Sequence, residues 1–490
     1  MQADHILVID QGTTSSRVII YDRSLQPITS EAKEFTQYFP HPGWVEHDAA
    51  EIWRDVQVLI QNTLKKAALT WGNIASIGIT NQRETVVVWD KETGKPVHNA
   101  IVWQDRRTAN YCENLKKDGH ETAVQAKTGL LLDPYFSASK IRWILDHIGA
   151  GQNRANRGEI CAGTIDTWLI WNLTKGAAHS TDATNASRTS LCNIHTGAWD
   201  PDLLALFDIP ETLLPRILNC ADDFGITPQG VPITGVAGDQ QAAAIGQCCF
   251  DKGMIKSTYG TGCFALLNTG PTPVMSQNKL LSTIAYQLDD VRHYALEGSI
   301  FIAGAAIQWL RDAVKFIDAA KDVDRLAAMA TENNVIFVPA FTGLGAPYWN
   351  ATCEGAIFGL NRNTGQAEIS HAALMSIGYQ TRDLLQAMRA DCPDLLITSL
   401  RVDGGLSKST LAMQSIADQL GIPVDRAAIS ESTALGAAYL AGLKPKISPS
   451  PEEFQNNWMS DHRFAPKQAR DSANVHYAKW QQMVRKLLTD

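Results

Sequence analysis

Apolar residues run through "ILVIDQ" and "RVIIYD", Ile6–Gln11 and Arg17–Asp22, on either side of a short polar stretch. That pattern predicts a strand, a tight turn and a second strand. It returns at "GMIKSTYGTGCFALLNTG", Gly253–Gly270, where Gly260 and Thr261 repeat Gly12 and Thr13. "IASIGITN" (Ile74–Asn81) and "ETVVVWD" (Glu84–Asp90) read as consecutive strands. The apolar spacing becomes helical over Ala50–Leu69 and Lys140–Ile148. "VAGDQQAAAIGQ" (Val236–Gln247) reads as a strand end passing into a helix of small residues. Strands and helices alternate throughout, the pattern of an α/β protein. The repeated hairpin implies a duplicated fold with one hairpin opening each half. The boundary is expected near Cys249–Gly253, giving units 1–250 and 251–445 and a tail, 446–490. The tail leaves through the proline-rich "KPKISPSPEEF" (Lys444–Phe454) and ends in the amphipathic "YAKWQQMVRKLLTD"; peripheral packing without chemistry is expected of it.

The 490 residues are 45% hydrophobic and 19% charged, enough for a large core and about two to four domains. A net charge of −8 argues against nucleic acid or an anionic membrane as the main partner. No window supplies about 18 uninterrupted apolar residues, so no membrane insertion is expected. "MQADHILVID" lacks a basic stretch followed by a long apolar run, so no secretory signal is expected either. The nine cysteines show neither CxxC nor zinc-ligand spacing and read as free thiols in a reducing compartment, the cytoplasm.

These limits leave a small ligand, and the turns say which kind. The first turn gathers Gly12, the hydroxyls of Thr13, Thr14, Ser15 and Ser16, and Arg17, with Asp10 at its entrance. It has no lysine and no helix, so it is not the strand–loop–helix P-loop. "GGLSKST" fails that motif as well, because Ser407 stands before Lys408 where glycine is required. There a strand ends at Asp403-Gly404-Gly405, and the helix start that follows can take a phosphate or a nucleoside. Two Gly/Thr hairpins facing one another would offer N–H groups and hydroxyls to a polyphosphate, with Asp10 placed for Mg2+. One such turn alone is more often a plain connector; the repetition favours the phosphate reading. Asp239, Glu84 and Asp166 are the candidate acids near turns. Asp239 reads equally as a helix N-cap, and the Arg83–Glu84 pair as a surface ion pair of little worth.

"DQGTTSSR", "PGWVEHD", "GITNQRET", "WQDRRT", "DPYFSASKIRWILD", "AGDQQAA", "STYGTGCF" and "PAFTGLGAPYW" occur in that order between about Ile6 and Gly442. Together they resemble the FGGY family of carbohydrate kinases, within the actin/hexokinase/Hsp70 superfamily. "NQRET" and "DPYFS" are similar to the members that act on glycerol rather than on xylulose or gluconate. The resemblance implies two ribonuclease H-like domains with ATP and substrate in the cleft between them. It implies Mg2+-assisted phosphorylation of glycerol to sn-glycerol 3-phosphate, and a homodimer or homotetramer. By motif match it implies that Arg83, Glu84, Trp103, Tyr135, Asp239, Gln240 and Phe264 line the glycerol site, with Asp239 as general base. Thr13, Thr14, Ser15 and Arg17 match nucleotide-phosphate contacts, joined by Thr261, Gly304 and Gln308 from the second half. Gly405 and Ser409 match the adenosine segment, and Asp10 a Mg2+-associated acid. Ser409 stands where the family has Asn, and Met375 where its second signature ends in an acid. The short, arginine-free "DDFGITPQGVPITG" implies no inhibition by fructose 1,6-bisphosphate. The alternatives are a kinase for another polyol or ketose, such as dihydroxyacetone or erythritol, or an ATP-driven binding module.

Overall fold

In the computed structural model the first hairpin forms from His5–Gln11 and Ser15–Tyr21, with Asp10 paired opposite Arg17. The structure describes residues 3–331, 334–350, 352–429 and 431–488. The hairpin sits within a five-stranded sheet ordered Ile233–Gly238, Ile74–Asn81, His5–Gln11, Ser15–Tyr21, Pro27–Glu34. The first three strands are parallel and the last two antiparallel. The second half repeats that order and those directions with Val424–Ala427, Leu400–Asp403, Ile255–Tyr259, Cys263–Gly270 and Val291–Ile300. Leu281–Leu288 and Ser460–Phe464 add one strand at each edge of this second sheet. The two hairpins thus head two copies of one α/β, ribonuclease H-like core.

Residues 6–9 are apolar without a break because both faces of their strand are covered. Leu7 and Ile9 pack with Ile52, Val56 and Leu59 of the Ala49–Lys66 helix. Ile6 and Val8 pack with Ala437, Ala438 and Leu440 of the Ser432–Leu443 helix, which the second half contributes. Each of these four side chains is fully buried, worth about 1.5–3 kcal/mol apiece relative to exposure. The Ser432–Leu443 helix also lies against the Asp239–Gly246 helix at a glycine contact. A Cβ on Gly246 would strike the Ser432 carbonyl, and one on Gly436 the Ala242 carbonyl. The run of small residues after Asp239 is therefore what lets the two halves approach.

Two readings change. Ile74–Asn81 and Val86–Asp90 are both strands, yet they belong to different sheets, the second joining Ile160–Thr164, Ala100–Ile101 and Glu46–His47. The tail is woven in rather than laid on. Its Ser460–Phe464 strand pairs with Val424–Ala427, and Trp480 of the Arg470–Leu488 helix is fully buried, its indole N–H on Asp383. The last two residues read as helix, 489–490, lie outside the described residues. All nine cysteines are buried and unpaired. Among the described residues no helix is long and apolar enough to cross a membrane.

Candidate active site

The "NQRET" turn is where the chain leaves the first sheet, and Glu84 makes that departure in the left-handed region, φ 60°. For a residue with a side chain this conformation is strained, at roughly 1–3 kcal/mol. The Ser137 hydroxyl holds it by donating to the Glu84 carbonyl oxygen at 3.1 Å. The turn directs Arg83 and Glu84 inward, both less than 4% exposed, into a network of buried charge. Arg83 donates both terminal nitrogens to Glu297, at 2.5 and 3.1 Å, and one of them also to the Gln241 side-chain carbonyl at 3.1 Å. Its Nε lies 3.3 Å from Asp239 and 3.8 Å from Glu84. Arg188 closes the circuit, donating Nε to Glu84 at 2.6 Å and a terminal nitrogen to Glu297 at 2.9 Å. This is not a surface ion pair. It is a buried set in which two guanidiniums face two carboxylates, with a third carboxylate, Asp239, at its edge, and one terminal nitrogen of Arg188 is left buried without a partner.

Burial alone would push the Glu297 carboxyl up, but the guanidiniums of Arg188 and Arg83 outweigh it and bring it down to about 2. Asp239 responds the other way. Burial raises its carboxyl above the ordinary 3.8, opposed by Arg83 and Lys256. A third of the Asp239 side chain stays open to the cleft, so water screens part of that push. The residue starts the Asp239–Gly246 helix as its first turn, and its Oδ1 accepts the N–H of Gln240 at 2.7 Å. The result is a partly accessible carboxylate with raised basicity, held by a guanidinium.

Aromatic rings wall the same space. Trp103 meets Tyr135 edge-on at 5.5 Å and Phe264 at 6.4 Å, so one ring from the second half closes against two from the first. The Trp103 indole N–H donates to the Thr13 hydroxyl at 3.0 Å, joining this pocket to the first hairpin turn. In that turn the Gly12 N–H donates to the Ser15 carbonyl; Thr14 is exposed, and Thr13 and Ser15 are partly exposed. Arg17 is bonded to Glu431. The second turn, Gly260-Thr261, is exposed and braced from behind. The Gly304 N–H donates to the Gly260 carbonyl at 3.0 Å, and the Ala303 and Ala305 N–H groups donate to that of Thr261. Gln308 is exposed on the helix that Gly304 begins, Gly304–Asp312.

Asp10, half-buried in the first strand, is pushed up to about 7 by burial; Arg17 opposes this, while Glu431 and Asp239 add to it. Carboxylates that raise one another across a cleft fit a divalent cation. Mg2+ suits such a place, since it takes one or two carboxylates and fills its octahedron with water and phosphate oxygens. No cluster of three or more acidic, histidine or cysteine ligands exists among the described residues. At the far end Gly405 is exposed with open space before it. Ser409 caps its own helix, accepting the Ala412 N–H at 3.1 Å and donating to Asp324 at 2.5 Å. Asp166 is away from all of this, buried and bonded to Thr164, Thr181 and Asn81 as a structural acid.

These contacts bring Thr13, Arg83, Glu84, Trp103, Tyr135, Asp239, Gln240 and Phe264 together, and three charged neighbours escaped the sequence reading: Arg188, Lys256 and Glu297. Lys256 is fully buried and donates to the Gln240 side-chain oxygen at 2.7 Å and to the Thr258 hydroxyl at 3.1 Å. The available signal was a lone charge inside an otherwise uncharged strand for Lys256, "IKSTY", and for Glu297 an acid in the apolar half of "VRHYALEGSI", whose other charge, Arg292, lies at the strand start.

Residues 5–246 match the N-terminal domain, and residues 255–444 the C-terminal domain, of the FGGY family of carbohydrate kinases. The chain is 56% identical over 487 residues to a glycerol kinase of Roseobacter denitrificans, covering 98% of both chains. It is 55% identical to one of Allorhizobium ampelinum, covering 99% of both. Among solved structures it is similar to Plasmodium falciparum glycerol kinase with ADP, at a TM-score of 0.94 and 38% identity, covering 100% of this chain and 99% of that one. Xylulose kinase from Lactobacillus acidophilus shares the fold at a TM-score of 0.90 and 21% identity, covering 99% of both chains.

Proposed function

The chain belongs to the FGGY family of carbohydrate kinases, and from that premise we propose that it transfers the γ-phosphoryl group of ATP to glycerol, giving sn-glycerol 3-phosphate. The observation that carries the choice of acceptor is the full-length likeness, above half identity, to proteins named glycerol kinase. The site chemistry suits it. Glycerol offers hydroxyls at both ends of a short carbon chain. The pocket offers Arg83, Glu84, Asp239 and Gln240 for the hydroxyls, and the rings of Trp103, Tyr135 and Phe264 for the carbons.

Phosphoryl transfer asks mainly for positioning and charge neutralisation. Asp239 accepts the proton of the attacking hydroxyl, its basicity raised by burial and its position fixed by Arg83 and the Gln240 N–H. The turns of the two hairpins, Thr13–Ser15 and Gly260-Thr261, present hydroxyls and N–H groups to the phosphates from opposite halves. Gly304, Gln308 and Gly405 extend that surface toward the nucleoside, and Ser409 supports it from the cap of the next helix. Mg2+ beside Asp10 would neutralise phosphate charge. We infer a cytoplasmic location, a reading that the nine unpaired thiols and the use of ATP support.

The test is a panel of C3–C5 polyols and ketoses with Mg·ATP, compared by kcat/KM. Glycerol is expected to lead analogues lacking one hydroxyl by about 10⁴–10⁵, because each missing group strands a buried partner. Preference for dihydroxyacetone or erythritol would overturn the acceptor. ATP hydrolysis indifferent to every polyol would overturn the kinase reading.

A further inference from the structure

We propose that Lys256 is a specificity-determining positioning residue: it locks the Gln240 side-chain amide with its NH2 group toward the acceptor, so that the site reads one hydroxyl by donating to it. This rests on the glycerol reading of the same site and deepens it.

An ammonium has three donors and no acceptor. The Gln240 atom 2.7 Å from Lys256 Nζ must therefore be the carbonyl oxygen, and the amide cannot be turned over without facing two donors. With Oε1 engaged, the Nε2 group is what Gln240 has left, and it makes no hydrogen bond within the described residues. One residue earlier, Asp239 is acceptor-only. Neighbouring residues therefore present opposite polarity, an acceptor for the hydroxyl that loses its proton and a donor for an oxygen lone pair. The polarity of the second is imposed from the other half of the molecule. Lys256 lies on the Ile255–Tyr259 strand of the second sheet, whereas Gln240 and Asp239 open a helix of the first half.

Burying a lysine completely is costly unless it is paired, and here the pairing has a purpose beyond the core. Its second bond goes to Thr258, one strand position from Tyr259 and the turn of the second hairpin. The carboxylates of Asp403 and Asp239 supply the surrounding negative charge. Asp403 keeps one buried oxygen without a partner, while its other oxygen accepts from Gln247 at 3.0 Å. The ammonium thus bonds Gln240 of the acceptor site and Thr258 of its own strand, in the field of Asp403.

The experiment compares glycerol with propane-1,2-diol and propane-1,3-diol, each lacking one hydroxyl, in the full-length enzyme and in Lys256→Met. The expected result is a fall of about tenfold in the kcat/KM preference for glycerol over one diol only, carried by KM for glycerol, with KM for ATP moving less than about twofold. In a Gln240→Ala background the same Lys256→Met change should alter that preference less than about twofold. Where Lys256→Met does not fold, Lys256→Gln, which can present either face of an amide, is read in the same way. An unchanged diol preference overturns the proposal, as does an equal loss with and without Gln240, the pattern of a merely structural lysine. A wild-type enzyme that phosphorylates no glycerol overturns instead the reading on which the proposal rests.

Discussion

The two ends of the cleft are built on opposite principles. At the acceptor end the charges are supplied by the protein to itself: Arg83, Arg188, Glu84 and Glu297 are buried and bond one another, with one terminal nitrogen of Arg188 left over. At the nucleotide end Thr14, Gly260, Thr261, Gln308 and Gly405 are exposed. The first arrangement is preorganised, so a small neutral acceptor meets fixed donors and acceptors and is selected by its hydroxyl pattern. The second exchanges hydrogen bonds to water for hydrogen bonds to phosphate, so its net gain per bond is the difference, about 1.5–3 kcal/mol for a charged partner. On the proposed function, discrimination belongs to the acceptor end, and capture of a highly charged nucleotide to the other.

The sharpest test of that division is Asp239→Asn, which keeps the shape of the acceptor end and removes its base. We expect kcat to fall by about 10²–10⁴ while glycerol and ATP still bind, measured by steady-state kinetics and equilibrium binding. Normal turnover would mean that the base lies elsewhere. The pH profile carries the same information. Because burial raises Asp239, the acid limb of kcat/KM should lie above the ordinary aspartate value of 3.8. Activity should be lost as pH falls through that limb, since the protonated carboxyl cannot take the hydroxyl proton.

Glu297→Gln strikes the network without touching the base. Removing one partner of a buried charge set costs about 3–5 kcal/mol, and two guanidiniums are left short here. Denaturant unfolding at neutral pH should show that loss. The sign with pH follows from the carboxyl being held down to about 2. Its stabilisation is present in full above the unfolded value of 4.5 and disappears as pH falls toward 2. The variant should lose that part of the acid dependence. Equal stability of the two proteins would mean that the network is not held from within.

Sequence and structure agree where local pattern decides and part where distance in the chain decides. The hairpins were legible because strand–turn–strand is local and its Gly/Thr turn occurs twice. Asp239 was legible because a strand end and a helix start flank it. Arg83 and Glu84 were visible as a pair, but not as a buried circuit, since their partners Arg188 and Glu297 lie far along the chain and in no motif. "PGWVEHD" and "WQDRRT" are among the strings that carry the family resemblance. Much of their content is scaffold: Arg107 lies over the rings of Trp44 and Trp143, 3.8 and 4.6 Å from their centroids, and bonds Asp105 and Glu46. Met375, where the family signature ends in an acid, packs partly buried between the second-half core and the Trp480 cluster. The integrated tail was hidden because its composition is polar and only pairing with Val424–Ala427 makes its strand.

Gly304→Ala tests the nucleotide end in turn. A Cβ there would be driven into the Gly260 carbonyl, so the second turn must shift while the acceptor network stays in place. Misplacing a positioning element by a fraction of an ångström to about 1 Å costs up to about 10²-fold, so a fall of roughly 10–100-fold in kcat/KM for ATP is expected. KM for glycerol should move less than about twofold. If both constants moved together, the two ends would not be separable.

Ser409 sets the smallest effect and the finest test of the nucleotide end. Its hydroxyl has a single proton, and Asp324 receives it at 2.5 Å; one lone pair accepts the Ala412 N–H at 3.1 Å. The Leu411 N–H donates to the same Asp324 carboxylate at 3.2 Å, so the cap and the acid form one closed unit at the start of the Thr410–Leu420 helix. Little of the hydroxyl remains for a nucleotide beyond a second lone pair. Ser409→Ala should therefore cost about 1 kcal/mol of stability, the usual value of an N-cap, and shift KM for ATP by no more than about threefold. Ser409→Asn restores the residue of the family. It can keep the cap through its side-chain oxygen, and its amide can donate to Asp324 in place of the hydroxyl proton, so its stability should stay within about 0.5 kcal/mol of the parent. A large rise in KM for ATP in the alanine variant, with stability unchanged, would move Ser409 from the scaffold of the nucleotide end to its contact surface. The contrast between an internally bonded acceptor end and an open nucleotide end would then weaken at a polar side chain that, like Arg17 and Thr13, the protein already bonds.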